Sequence, residues 1–186
     1  MRIITGNLKG KKILFPMDKN TRPLRDMVKE SIFNLIENSN KFELKIDCSE
    51  ILDLFSGSGS FGFECISRGA KKVVFFENYS QTLKILKKNI LNLKLTEKCD
   101  VFEENVFNFF QYKKIIDRKF NIIFVDPPFK EKKINLLIEE ILEKKILNNN
   151  GIMIIHRHKK DDIIIPNKFK ILDTRSYGIS KIIIGH

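Results

Sequence analysis

A chain of 186 residues, 42% hydrophobic and 31% charged, suits one globular domain with a substantial core. No apolar run is long enough to span a bilayer and no hydrophobic leader stands at the N-terminus, so membrane insertion and export are not expected and a cytoplasmic protein is. The formal net charge of +11 points to a polyanionic partner, although a Lys-, Ile- and Asn-rich composition can also reflect genome base composition. The three cysteines, Cys48, Cys65 and Cys99, are odd in number and far apart, so reduced thiols are expected, with neither a disulfide framework nor a metal site.

Met1–Thr5 and Lys11–Phe15 read as two short strands around Gly6–Gly10, a hairpin. Residues 1–30 hold eight bases (Arg2, Lys9, Lys11, Lys12, Lys19, Arg22, Arg25, Lys29) against three acids, which marks this segment as the nucleic-acid contact. Helical spacing of Val28, Ile32, Leu35 and Ile36 predicts a helix over Leu24–Glu37. A strand over Glu50–Phe55 ends in Ser-Gly-Ser-Gly, and a helix over Ser60–Arg68 stops at Gly69. There follow a strand over Lys72–Phe76, a helix over Tyr79–Leu91, a strand over Asp100–Glu103 and a short helix over Val106–Tyr112. Next come a strand over Phe120–Val125, a helix over Lys132–Lys145 and a strand over Gly151–His156. A closing hairpin, Phe169–Thr174 with Ile179–Gly185, surrounds Ser176-Tyr177-Gly178. The run Asn148-Asn149-Asn150-Gly151 reads as a turn, and Met27 and Met153 as core filler. Phe107, Phe109 and Phe110 read as core, and His156 and His158 as a solvated strand end or incidental RNA contact.

Alternating strands and helices predict an α/β fold, a mostly parallel sheet covered on both faces, with ligands beyond the carboxyl ends of the strands. Asp53, Gly57, Gly59, Glu77, Asn105 and Asp126 all stand at or just after such ends. Gly57-Ser58-Gly59-Ser60-Phe61-Gly62 fits a dinucleotide loop, but Asp53 inside the preceding strand end would repel a pyrophosphate. A carboxylate there suits an ammonium group, and Glu77 can accept from two ribose hydroxyls. A nucleoside with a cationic amino-acid tail fits both acids, and S-adenosylmethionine is that molecule. The bland alternatives are a capping role for Asp53 and a solvated Glu77.

Asp126-Pro127-Pro128-Phe129 follows an apolar strand. Two prolines stop the strand at an acid and make a stiff corner whose carbonyls have no partners expected within the chain. An acid, free carbonyls and an aromatic ring can grip a planar base through its exocyclic amine.

Asp53-Leu54-Phe55-Ser56-Gly57-Ser58-Gly59, Glu77 and Asp126-Pro127-Pro128-Phe129 together resemble the class I S-adenosylmethionine-dependent methyltransferases that act on exocyclic amines. Arg2-Ile3-Ile4-Thr5-Gly6, Gly10-Lys11-Lys12-Ile13, Arg22-Pro23-Leu24-Arg25, Glu30-Ser31-Ile32-Phe33-Asn34, Ser67-Arg68-Gly69-Ala70 and Tyr177-Gly178-Ile179-Ser180 resemble one subfamily more closely. That subfamily is the RsmD family of 16S rRNA guanine-N2 methyltransferases, and the resemblance covers nearly the whole chain. It implies a Rossmann-like seven-stranded sheet with a small N-terminal hairpin and helix. Residues 1–40 would be the RNA-contacting extension and 41–186 the S-adenosylmethionine-binding catalytic domain.

The resemblance implies catalytic roles for Asp126, Pro127, Pro128 and Phe129. It implies cofactor contacts from Asp53, Phe55, Gly57, Gly59, Glu77, Asn78, Asn105 and Val106, and RNA contacts from Arg2, Lys11, Lys12, Arg22 and Arg25. The partner would be 16S rRNA in a small ribosomal subunit or its assembly intermediate, bound by a monomer. Leu24 replaces a usual Thr, Asn105 a usual Asp beside the adenine, and Ser180 a usual Thr whose hydroxyl it keeps. A DNA adenine-N6 methyltransferase and a nonenzymatic ribosome assembly factor are the alternatives, with a nicotinamide dehydrogenase more distant.

Overall fold

The computed structural model describes residues 1–16 and 24–186. Its strands are β1 (Glu50–Leu54), β2 (Lys72–Phe76), β3 (Cys99–Phe102), β4 (Phe120–Val125), β5 (Leu147–His158), β6 (Ile171–Tyr177) and β7 (Ser180–Gly185). The helices are α1 (Asp26–Asn38), α2 (Ser60–Ser67), α3 (Ser80–Asn92), α4 (Lys113–Ile116) and α5 (Ile134–Glu143). Among the described residues, no helix is long and apolar enough to cross a membrane.

The strands form one sheet in the order β3-β2-β1-β4-β5-β7-β6. The first five run parallel, and β7 is antiparallel to both β5 and β6. The central strands β1, β2 and β4 are mostly apolar and buried because both faces of the sheet are covered. Their two-residue period sorts side chains into two cores. Ile51, Val73, Phe75, Ile122 and Phe124 join a cluster with residues of α1, α2 and α3. Leu52, Leu54, Val74, Phe76, Ile123 and Val125 join another with α5 and the 3-10 segment Val106–Gln111. Chain order reverses between β1 and β4, and this switch point opens a cleft beyond their carboxyl ends.

The N-terminal hairpin forms with a single bridge, Arg2 opposite Lys12, rather than the two strands expected. Turn bonds from Gly10 N to Ile3 O and from Lys11 N to Leu8 O end the ladder, and side chains from the body of the fold hold the flanking backbone. The Glu64 carboxylate accepts from Ile4 N at 2.8 Å and Thr5 N at 2.9 Å. The Asn89 amide accepts from Leu14 N and donates to Leu14 O and Ser58 O. Ile3 and Ile13 are buried in the same core as the sheet.

Three further expectations are corrected. Asn148-Asn149-Asn150-Gly151 is no turn but lies inside β5, where pairing jumps from Phe120↔Leu147 to Ile122↔Ile152 and the surplus residues bulge. Met27 is 58% exposed, because α1 turns Val28, Lys29, Ile32, Phe33 and Ile36 inward. Lys29 is therefore buried rather than offered to a polyanion. Met153 is fully buried, as expected.

Candidate active site

The cleft has a volume of about 530 Å³. Its walls include Asp53, Phe55, Ser56, Gly57, Glu77 and Asn78 on the β1–β2 side, and Phe124, Asp126, Pro127, Pro128 and Phe129 on the β4 side. Phe15 and Leu24, flanking the undescribed segment, also line it.

The β1 exit is tightly built. Phe55 takes a positive φ of 59°, and Ser56 ties the turn to β2 through Ser56 N to Phe76 O at 3.0 Å. The Ser56 hydroxyl lies 2.6 Å from the Asp53 carbonyl. Gly57 has φ +56°, and a Cβ added there would meet nothing within 4 Å, so the backbone is open to close approach by a ligand. Gly59 serves a different end and does not line the cleft. Its φ is +84°, and an added Cβ would lie 2.5 Å from Phe63 and 2.6 Å from Leu86, so packing demands the glycine.

Asp53 is 1% exposed, and its Oδ2 accepts from Gly62 N at 3.1 Å. Burial pushes its carboxyl well above the usual carboxylate range, and the nearby Asp126 and Glu77 charges push it further. Glu77 accepts from Gly57 N at 2.8 Å through Oε2, and from Asn78 N and Tyr79 N at 2.9 and 2.8 Å through Oε1. A carboxylate offers about four acceptor positions. The loop's own amides therefore leave room for one ribose hydroxyl, not the two expected from the sequence.

On the opposite wall, Asp126 N donates to Leu54 O at 3.3 Å, fixing the corner to β1. Asp126 Oδ1 lies 2.8 Å from His156 Nδ1, and the side chain is 18% exposed in the cleft. The corner's carbonyls are not all free. Pro128 O accepts from Glu131 N and from Arg157 Nη1, while Arg157 Nη2 donates to Phe129 O and Glu131 O. Arg157 itself is buried and paired with Asp161. Among the described residues no donor reaches the Pro127 carbonyl. The corner thus presents one carboxylate and one open carbonyl, framed by the Phe129 ring, which stands edge-on to His158 at 4.9 Å.

Asn105 and Val106 lie outside the cleft lining. Asn105 Oδ1 caps the 3-10 segment by accepting from Phe107 N at 3.0 Å, and Val106 is buried in the core. Phe109 is buried as well, with Phe107 and Phe110 partly so. Arg2, Lys11, Lys12 and Arg25 are exposed, and Arg22 falls outside the described residues. His156 is a residue the sequence reading missed. It is 2% exposed, and its Nε2 lies 2.8 Å from Ser180 Oγ.

This sheet order, with a reversed β7 and an acid-walled cleft at the switch point, defines a class I methyltransferase, the class that uses S-adenosylmethionine. The family model described as conserved hypothetical protein 95 matches residues 1–186, and the chain belongs to that family, the RsmD family. Ribosomal RNA small subunit methyltransferase D of Haemophilus influenzae is 33% identical over 180 residues, 96% of this chain and 90% of that protein. Among solved structures, HI0767 from Haemophilus influenzae, described as a methylase, is 31% identical with a TM-score of 0.77, covering 99% of this chain and 96% of that one. The yhhF chain from Escherichia coli is 25% identical with a TM-score of 0.80, covering 100% and 96%.

Proposed function

We propose that the protein methylates the exocyclic N2 of a guanine in 16S rRNA, presented in a small ribosomal subunit or its assembly intermediate and bound by a monomer. The observation that carries this reading is the juxtaposition, in the cleft lining, of the Asp126 carboxylate with the Pro127 carbonyl, which no donor reaches among the described residues. The H. influenzae relative's name, a ribosomal RNA small subunit methyltransferase, supports the substrate class.

The residues fit the methyl donor. Gly57 gives open backbone, Glu77 keeps one acceptor position, and Phe55 and Asn78 flank them. Asp53 is a buried carboxyl with no cation beside it among the described residues, which suits an ammonium group. Asn105 and Val106 contribute from behind, through the 3-10 segment whose Phe107 ring packs edge-on to Phe55 at 6.1 Å. S-adenosylmethionine, when bound, supplies an electrophilic methyl group on a sulfonium sulfur.

The guanine N2 lone pair is delocalised into the ring, so the free amine is a poor nucleophile. With Asp126 and the Pro127 carbonyl accepting its two hydrogens, the nitrogen turns its lone pair toward the methyl group. As the nitrogen–carbon bond forms and the sulfur–carbon bond breaks, positive charge grows on nitrogen and Asp126 stabilises it. Asp126 then takes the proton, directly or through water. Phe129 stacks the base, a contact worth roughly 1–3 kcal/mol. The base must leave its helix to reach this corner. Arg2, Lys11, Lys12 and Arg25 provide the exposed positive charge that meets phosphates.

The test is nucleoside mass spectrometry after incubation with labelled S-adenosylmethionine and unmodified small subunits, naked 16S rRNA or DNA. Labelled N2-methylguanosine from the subunit or the rRNA is expected, whereas N6-methyladenine from DNA would replace this reading with the adenine one.

Asp53→Asn separates stability from binding. The Asp53 carboxyl lies above its ordinary value of 3.8 in the folded chain, so the native state holds its proton longer than the unfolded state. Stability from this group is therefore lost as pH rises above that ordinary value. The neutral amide escapes this loss, so the free variant should melt higher than the parent at neutral pH. Its affinity for S-adenosylmethionine should fall by more than tenfold, about 1.4 kcal/mol. Calorimetric titration and a thermal melt read the two effects. Unchanged affinity would remove Asp53 from the ammonium site.

A further inference from the structure

We propose that His156, braced by Ser180, is the positioning residue that aims Asp126 at the substrate amine, a role that rests on the function proposed above. Asp126 Oδ1, His156 Nδ1, His156 Nε2 and Ser180 Oγ form one line of two hydrogen bonds, each 2.8 Å. This is the atom order of a hydrolytic serine–histidine–aspartate triad, but the ends are exchanged. In a hydrolase the aspartate is buried and the serine meets substrate. Here Ser180 is 5% exposed and His156 2%, while the Asp126 side chain is 18% exposed and lines the cleft. Ser180 therefore cannot act as a nucleophile, and the working end of the line is the acid.

Donor and acceptor roles along the line follow once Asp126 acts as a carboxylate acceptor, the state its proposed role requires. An ionised carboxylate only accepts, so the proton between Asp126 and His156 sits on Nδ1. A neutral imidazole then has its lone pair on Nε2, and the Ser180 hydroxyl donates to it. Asp126 thus sets which nitrogen carries the proton, and Ser180, whose hydroxyl can donate or accept, holds the ring's orientation. With Oδ1 held, the carboxylate cannot rotate, and Oδ2 is the oxygen left to accept from the guanine amine. The neighbouring residue completes the arrangement from the other side of the strand, where Arg157 holds the carbonyls of Pro128 and Phe129. Two consecutive residues of β5 thereby hold the acid and the corner that follows it. The buried hydroxyl of Ser180 finds its purpose in this line.

The test compares His156→Leu, His156→Asn and Ser180→Ala with the parent, using unmodified small ribosomal subunits and labelled S-adenosylmethionine. Asn places an N–H donor near the position of Nδ1 and leaves Ser180 unserved. His156→Leu should lower kcat roughly 10- to 100-fold through misaim of the acid. Its KM for subunits and its affinity for S-adenosylmethionine should stay at parental values. His156→Asn should regain most of the lost kcat, and Ser180→Ala should show a smaller loss of kcat alone. Parental kcat in His156→Leu would overturn the proposal. Should His156→Leu fail to fold, a His156→Asn variant no faster than background would overturn it too, as would a Ser180→Ala loss confined to KM. A parent enzyme that methylates no guanine in subunits or rRNA would instead overturn the function on which the proposal rests, and the proposal with it.

Discussion

Asp126→Asn should cut kcat for methyl transfer by about two to three orders of magnitude, while S-adenosylmethionine binds nearly as it does to the parent. In the proposed mechanism the acid meets the positive charge growing on the amine, and among the described residues no other carboxylate lines the β4 side of the cleft. Cofactor binding should survive for an electrostatic reason. Asp126 is one of the two charges that push the Asp53 carboxyl upward. Its neutralisation makes Asp53 easier to ionise, so an ammonium contact at Asp53 is not weakened. The amide is a cleaner change than alanine. Asn at this position still offers an oxygen to His156 Nδ1, whereas alanine strands a buried N–H donor at a cost of about 1–3 kcal/mol. Single-turnover transfer to small subunits and calorimetric titration of S-adenosylmethionine measure the two quantities. An Asn variant that turns over near the parental rate would leave the corner with only its carbonyl and remove the acid from the mechanism.

The middle of the parallel sheet was legible because β1, β2 and β4 are short, mostly apolar runs that lead into acids or a glycine loop. β2 and β4 begin and end where the sequence places them, and β1 ends one residue earlier. What escaped was set by partners distant in the chain. His156 looks like a solvated strand end until β7 docks antiparallel beside β5 and brings Ser180 opposite His158. The carbonyls after Asp126 look free until Arg157, distant in sequence but on the adjacent strand β5, reaches them. Asn105 stands at a strand end like the other rim residues, but its short amide is consumed in capping the next turn. Two misses had a signal. Lys29 falls on the same helical stripe as Ile32, Phe33 and Ile36, and Glu64 is the lone acid of an otherwise uncharged helix. A basic residue and an acid that each interrupt a buried face ask to be paired with one another.

That pair carries the largest expected effect on stability. Glu64 is fully buried and lies 3.5 Å from Lys29 Nζ, whose side chain is fully buried too. It also accepts from Arg68 Nε at 3.1 Å and from the amides of Ile4 and Thr5. Glu64→Ala would leave Lys29 with Asp26 at 3.8 Å, a half-exposed partner, and with the neutral oxygens of Arg2 and Ser60. Burial already pulls the Lys29 ammonium below its ordinary value, and the Glu64 charge is the chief force opposing that pull. Removing one member of a buried pair costs about 3–5 kcal/mol. In a chain of this size that lowers the melting temperature by roughly 6–20 °C. Pairing Glu64→Gln with Lys29→Met should recover much of the loss, since the buried ammonium is gone, Arg68 keeps Glu37 at 2.7 Å, and the amide oxygen can still serve an N-terminal amide. The hairpin that Glu64 pins also bears Arg2, Lys11 and Lys12. The Ala variant, assayed below its melt, should therefore bind 16S rRNA more weakly and with a flatter salt dependence. A lower melt with an unaltered salt slope would mean that the hairpin is held for stability alone and that the RNA lies on another face.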